Sequence, residues 1–266
     1  MLTVPGFALI TGAASGIGRA TALAFARAGA AGIHLADRNS VQLLDAIDEV
    51  KSAATNPDFK TSMSGTDIAD AQQVDTMVST AMKAFGRLDY AANIAGVLET
   101  SHPTAELPIE EYDSVMQINS RGAFLCMRAE LAAMRAQQAV ARLPSRPAVR
   151  GSITNMGSIL GHIALPTFTS YVTAKHSVLG MTKAAAATHA QEGIRVNAVC
   201  PGWVETELSK NSAGATKEWE SILAAVPMRR MASCEEVADV VLFIASEYAS
   251  YVNGAAWTID GGRTVV

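Results

Sequence analysis

Short apolar runs alternate along the chain with longer amphipathic segments, and this rhythm restricts the possible architectures more than any other feature. "FALIT" (7–11) reads as a buried strand and is followed by a helix over roughly 16–29. "GIHLAD" (32–37) is a second strand, and the helix after it, over about 40–54, ends before Asn56-Pro57. A third strand lies near 60–65, and Asp70 caps a helix that runs to Gly86. "LDYAANI" (88–94), "GSITNM" (151–156), "IRVNAVC" (194–200) and "AAWTI" (255–259) are further strands. Helical patterns cover about 109–138, 170–192 and 235–246. Strands this apolar are buried on both faces, and strands separated by helices pair in parallel through crossovers. The pattern predicts an α/β fold: a doubly wound, mostly parallel sheet of seven strands with helices on both faces. Neither an internal repeat nor a linker interrupts it, so residues 1–266 read as a single domain.

Composition narrows the function classes. Apolar residues make up 49% of the chain and charged residues 17%, enough for a packed core. The formal net charge is −4 and no basic-aromatic tract occurs, which speaks against a nucleic-acid surface. The densest basic stretch, "MRAQQAVARLPSRPAVRG" with Arg135, Arg142, Arg146 and Arg150, reads as a solvated helix end and loop. Cys126, Cys200 and Cys234 are odd in number and form no CxxC, which suits a reducing compartment and argues against a disulfide framework or a zinc site. His162, His176 and His189 are not spaced as metal ligands, so no metal is expected. The start, "MLTVPGFALITG", lacks the charged flank of a signal peptide, and no window resembles a membrane span. A cytoplasmic location without membrane attachment is the expectation.

Two constellations carry chemistry. The first strand runs into "TGAASGIG", with Gly12, Gly16 and Gly18 at the start of a helix. Such a turn lets backbone amides approach a pyrophosphate, and the helix dipole favours its charge. Asp37 closes the second strand, 19 residues beyond Gly18. An acid there suits an adenosine ribose and repels a 2′-phosphate, whereas the adjacent Arg38 could pair with one. In the second constellation, "SYVTAKHSVLG" (170–180) sets Tyr171 and Lys175 one helical turn apart on one face. A free Tyr keeps its proton to about pH 10, and a neighbouring cation favours the phenolate.

Together these residues resemble the short-chain dehydrogenase/reductase family over nearly the whole chain. "TGAASGIG" is similar to that family's TGxxxGIG turn, and "TDIAD" places Asp67 and Ile68 where the family binds adenine. "NIAG" (Asn93, Ala95, Gly96) resembles its NNAG strand end, "MQINSRGAF" supplies Asn119, and "ITNMGSILG" supplies Ser158. "YVTAK" is its YxxxK, "VCPGWVET" its PG motif with Pro201, Gly202, Val204 and Thr206, and "IDGG" its C-terminal signature. Two positions depart from the commonest pattern: Gly157 stands where many members have a second Ser, and Ile94 replaces the second Asn of NNAG.

The resemblance implies a Rossmann-like fold and hydride transfer between a nicotinamide cofactor and a secondary alcohol or ketone. Ser158 would hold the substrate oxygen and Tyr171 would act as general acid or base. Lys175 would lower the Tyr171 pKa and hold the nicotinamide ribose, and Asn119 would kink its helix and hold a water that relays protons. Gly12, Ser15, Gly16, Ile17 and Gly18 would bind the cofactor; Ser15, in the place where NADP-preferring members carry a basic residue, together with Asp37 favours NAD(H), and Arg38 leaves NADP(H) open. Leu98, Leu160, His162 and Trp203 are candidate substrate contacts. A lid over about 203–227, which also holds Trp219, has an apolar face and favours a small hydrophobic substrate. A homo-oligomer, tetramer or dimer, is implied. Other readings are an NADP(H)-dependent ketone or imine reductase, an epimerase, and a dinucleotide-binding protein without catalysis.

Overall fold

The computed structural model describes residues 2–207, 209 and 222–265. Seven strands form one sheet: β1 (Phe7–Thr11), β2 (Gly32–Asp37), β3 (Lys60–Gly65), β4 (Tyr90–Asn93), β5 (Gly151–Met156), β6 (Ile194–Pro201) and β7 (Ala256–Ile259). The spatial order is β3-β2-β1-β4-β5-β6-β7 and every adjacent pair is parallel. The chain winds outward from β1 to β3, then crosses to β4 and winds the other way. That reversal opens a crevice beyond the carboxyl ends of β1 and β4, where ligands of such sheets bind.

The two-residue period of the strands sorts the core into two layers. Ala8 and Ile10 of β1 point into a cluster with Phe25 of helix α1 (Gly16–Arg27), Leu43 and Ile47 of α2 (Ser40–Ala53), and Val241 and Ile244 near the C-terminus. Leu9 points the other way, towards Met77 of α3 (Ala71–Phe85) and a second cluster containing Leu125, Leu131 and Met134. Local capping sets where these helices start and stop. The Asp70 carboxylate accepts from the Gln72 and Gln73 amides at 2.8 and 3.1 Å, and α3 ends on Gly86 in the left-handed region.

Two readings from sequence change. The helical stretch over 109–138 is three pieces: α4 (Ile109–Val115), a π-helical segment (Met116–Gly122) and α5 (Ala123–Ala136). The extra residue of the π segment re-aims Asn119. The basic stretch is not simply solvated. The Arg142 side chain is only 9% exposed and pairs with Asp89 at 2.5 Å and Glu247 at 3.6 Å. Asp89 also accepts from the Phe7 amide and from Arg87. This ionic cluster lies at the amino ends of β1 and β4, away from the crevice.

The Tyr171–Lys175 pair sits on α6 (Thr169–His189), and the last helix, α7 (Cys234–Ala245), opens with a Ser233–Glu236 capping box. Arg195 of β6 donates to the carbonyls of Ile244, Ala245 and Ser246, satisfying the end of α7. Among the described residues, no helix is long and apolar enough to cross a membrane.

Candidate active site

A cleft of about 480 Å³ opens over the sheet reversal. Its floor is the glycine turn. A side chain at Gly18 would place Cβ 2.0 Å from the Gly12 carbonyl oxygen, so α1 can pack this close to the turn only with glycine there. Ser15 precedes α1 and makes no side-chain cap, so its hydroxyl does not occupy the first-turn amides that face the cleft. Gly16 faces Thr206 across the opening; a Cβ built on it would lie 3.5 Å from the Thr206 methyl. This bare amide cradle fits a dinucleotide pyrophosphate.

The adenosine end follows from β2 and β3. Asp37 has one carboxylate oxygen on the Ala14 amide (3.1 Å) and the other on the Asn39 amide (2.9 Å), which fixes its orientation in the cleft wall. Arg38 lines the same wall and is exposed. Asp67 and Ile68 flank the pocket, beside Thr66, as do Ile17, Ala95, Gly96, Pro201, Gly202 and Val204. Asn93 departs from expectation. Its side chain is buried beneath the cleft and donates to Glu130 (2.9 Å) and Asn155 (3.0 Å). The strand alternation turns it into the core, so it shapes the site through the sheet and does not line it.

Ser158, Tyr171 and Lys175 come together at the ends of β5 and α6, all in the cleft wall. Ser158 continues β5 in extended conformation and its oxygen accepts the Leu160 amide at 3.1 Å. The Tyr171 phenol meets the Ser158 hydroxyl, and that bond favours the phenolate. Burial outweighs it and pushes the phenol up to about 12. The Lys175 ammonium is buried, donates to the Met156 carbonyl at 2.9 Å, and stands 5.4 Å from the Tyr171 ring centre. Burial brings it down to about 8. Desolvation is thus the larger influence on the phenol, and it favours the protonated form.

Asn119, in the π-helical segment that interrupts its helix, ties down the neighbouring loop. Its amide oxygen accepts from the Val97 amide at 2.8 Å and its amide nitrogen donates to the Val97 carbonyl at 2.7 Å. Both polar groups of the side chain hold the loop after β4. The departure at Gly157 also has a cause: a Cβ there would lie 2.8 Å from the Cys200 sulfur. Leu98, Leu160 and Trp203 line the substrate side with Ile159 and Val97, but His162 is exposed and lies outside the lining. Trp219 and much of the expected lid fall outside the described residues. Val97, Ile118, Met156, Ile159, Glu207 and Ser209 line the cleft without having been singled out by sequence. Most are apolar neighbours of motif residues, and nothing in their own chemistry marks them. Among the described residues, no group of three His, Cys, Asp or Glu side chains forms a metal site.

A doubly wound parallel sheet, a glycine cradle at its reversal and a Ser–Tyr–Lys cluster beside the cradle define a nicotinamide-dependent oxidoreductase class. Comparison with known proteins agrees. A family model described as enoyl-(acyl carrier protein) reductase matches residues 12–264. A short-chain dehydrogenase, anuF, of Penicillium roqueforti is 40% identical over 270 residues, covering 99% of this chain and 98% of its own. The cis-4-hydroxycyclohexanecarboxylate dehydrogenase of Sinomonas cyclohexanicum is 37% identical over 260 residues, covering 97% and 96%. The crystal structure of levodione reductase superposes with a TM-score of 0.91 at 33% identity, covering 99% of each chain. The chain belongs to the short-chain dehydrogenase/reductase family, whose members act on CH–OH donors or the corresponding carbonyls with NAD(P).

Proposed function

We propose that this chain is an NAD(H)-dependent oxidoreductase that interconverts a small hydrophobic secondary alcohol and its ketone, with Tyr171 as general acid and base. The observation that carries the reading is the meeting of Ser158, Tyr171 and Lys175 in the wall of the glycine-floored cleft. Gly12, Ser15, Gly16 and Gly18 would hold the pyrophosphate, Asp37 the adenosine ribose, Asp67 and Ile68 the adenine, and Lys175 the nicotinamide ribose. The nicotinamide supplies or accepts the hydride.

The protein's own groups manage the proton. In reduction, a phenol with its pKa near 12 holds a proton at neutral pH and can release it to an alkoxide as that charge develops. Ser158 donates to the same oxygen and fixes the plane of the carbonyl. In oxidation the phenolate must form, and the buried Lys175 ammonium is the charge that offsets it. Leu98, Ile159, Leu160 and Trp203 surround the substrate position with apolar surface, which supports a hydrophobic substrate. The ring substrates named for two of the relatives make a cyclic alcohol or ketone the first choice.

NAD(H) is favoured because the anchored Asp37 carboxylate at the end of β2 would repel a 2′-phosphate bound beside it, and like charges at contact cost several kcal/mol. The chain is further inferred to act as one domain and as a homo-oligomer. The test is a panel of cyclic, aromatic and aliphatic alcohols and ketones with both cofactors, followed at the nicotinamide absorbance. Turnover with NAD(H) at least about tenfold more efficient than with NADP(H) is expected, and Asp37→Ala should narrow the gap. Dinucleotide binding without turnover across the panel would favour a non-catalytic role.

A further inference from the structure

We propose that Glu99, in the loop after β4, is a positioning residue that sets Tyr171 by capping the catalytic helix from a distant part of the chain. The proposal rests on Tyr171 as the proton-transfer group. Helix α6 has no local cap: it is preceded by Phe168, whose side chain offers no acceptor. Its first-turn amides are served by Glu99, 72 residues before Tyr171. One carboxylate oxygen accepts the Tyr171 amide at 2.8 Å; the other accepts the Ser170 amide at 3.2 Å and the Ser170 hydroxyl. Glu99 is 4% exposed and Ser170 fully buried. A carboxylate is costly to bury unless hydrogen bonds compensate it, and charge-assisted bonds of this kind are about twice as strong as neutral ones.

The surrounding bonds make this contact a clamp. The chain enters α6 through Thr167, whose φ of 69° is unfavourable for a β-branched residue. Thr167 is held in that conformation by the loop that carries Glu99: its carbonyl accepts the His102 amide at 3.0 Å, and its hydroxyl meets that of Ser101 at 2.6 Å. The other end of the loop is tied down at Val97 by Asn119. Between these anchors lies Leu98 in the substrate wall. The Glu99 carboxylate thus fixes the spacing between the substrate wall and the backbone of the residue that bears the phenol. Misplacement of a reacting group by about 1 Å can cost about 100-fold in rate.

Glu99→Gln tests this, because it sets an NH2 group against at least one helix N–H. Expected results are a fall in kcat of about 10- to 100-fold and cofactor affinity within about twofold of wild type. In the Tyr171→Phe background the same substitution should cost nothing further, since residues that act as a unit are non-additive. Equal proportional losses in both backgrounds, or a kcat within about twofold of wild type, would overturn the proposal. If Glu99→Gln does not fold, as judged by melting and cofactor binding, Ser170→Ala takes its place. It removes the buried hydroxyl and leaves both amides paired. It should lower kcat about two- to tenfold with the same non-additivity, and an additive or negligible effect refutes the clamp. Full activity in Tyr171→Phe itself would instead sink the functional reading on which the proposal stands.

Discussion

Replacing Lys175 by Met removes the buried cation beside the phenol and keeps most of the stem volume. The ammonium lies 5.4 Å from the Tyr171 ring centre. Taking this ring-centre distance for the ion pair, an effective dielectric of about 20 gives about 3 kcal/mol, or about two pKa units. In alcohol oxidation the active form is the phenolate, so activity rises with pH through the Tyr171 pKa. Loss of the cation raises that pKa, so along the acidic limb below it the phenolate fraction, and kcat/KM with it, falls by about 100-fold at a given pH. Burial brings Lys175 down only to about 8, so the ammonium form still predominates at neutral pH and its removal is felt there. The assay is kcat/KM for alcohol oxidation from pH 6 to 10.5 with saturating cofactor, because ribose binding weakens too. The variant should regain activity as pH rises. The Met156 carbonyl loses its donor, a cost of about 1–3 kcal/mol to be checked by melting. A well-folded, cofactor-saturated variant with the wild-type acidic limb would refute electrostatic support of the phenolate by Lys175.

Tyr171→Phe should lower turnover about 10²–10⁴-fold with cofactor affinity nearly unchanged, measured by steady-state kinetics and fluorescence titration. Burial raises Glu130 to about 7, so its contribution to stability is fully present below the unfolded value of 4.5 and is lost as pH rises through about 7. Melting temperatures between pH 5 and 8 should therefore fall more steeply for wild type than for Glu130→Gln, and parallel curves would contradict this. Gly157→Ser should destabilise by about 1–3 kcal/mol through contact with the Cys200 sulfur, and Cys200→Ala should recover much of that in the double variant. Light scattering at micromolar concentration should give the mass of a tetramer or dimer, and a monomeric mass would oppose the inferred assembly.

The inner strands were legible because their side chains are buried on both faces. "FALIT", "GIHLAD" and "GSITNM" needed only their apolar runs and flanking turns to be placed. The meeting of Tyr171 and Lys175 followed from helical spacing, but their environment did not. Spacing fixes which side chains share a face, whereas the dielectric around them depends on what other elements pack above. The π segment at Asn119 was hidden from the helical pattern, because one additional residue in a turn leaves the run of helix formers unchanged, and only the family resemblance pointed to a kink there. Glu99 and Arg142 escaped for a common reason: their partners lie far away in sequence, and a lone Glu or Arg in a loop looks solvated until the chain is folded around it. Asn93 shows the limit of motif matching, since its place in a motif says nothing of the face to which its strand turns it.

The ion-paired cluster of Arg142, Asp89 and Glu247 sits under the sheet, whereas the cleft opens above it. Chain entry, strand alignment and the end of α7 are secured at that lower edge by Arg142 and Arg195. The opposite rim is thereby relieved of aligning the strands, and its own ties are those of Glu99 and Asn119. Loop residues such as Leu98, Leu160 and Trp203 can be exchanged in a directed-evolution library without loosening the foundation on which the strands register. A scaffold with this division of labour is a good starting point for retargeting to new alcohols and ketones, and a library designer would randomise the rim while leaving the basal arginines untouched.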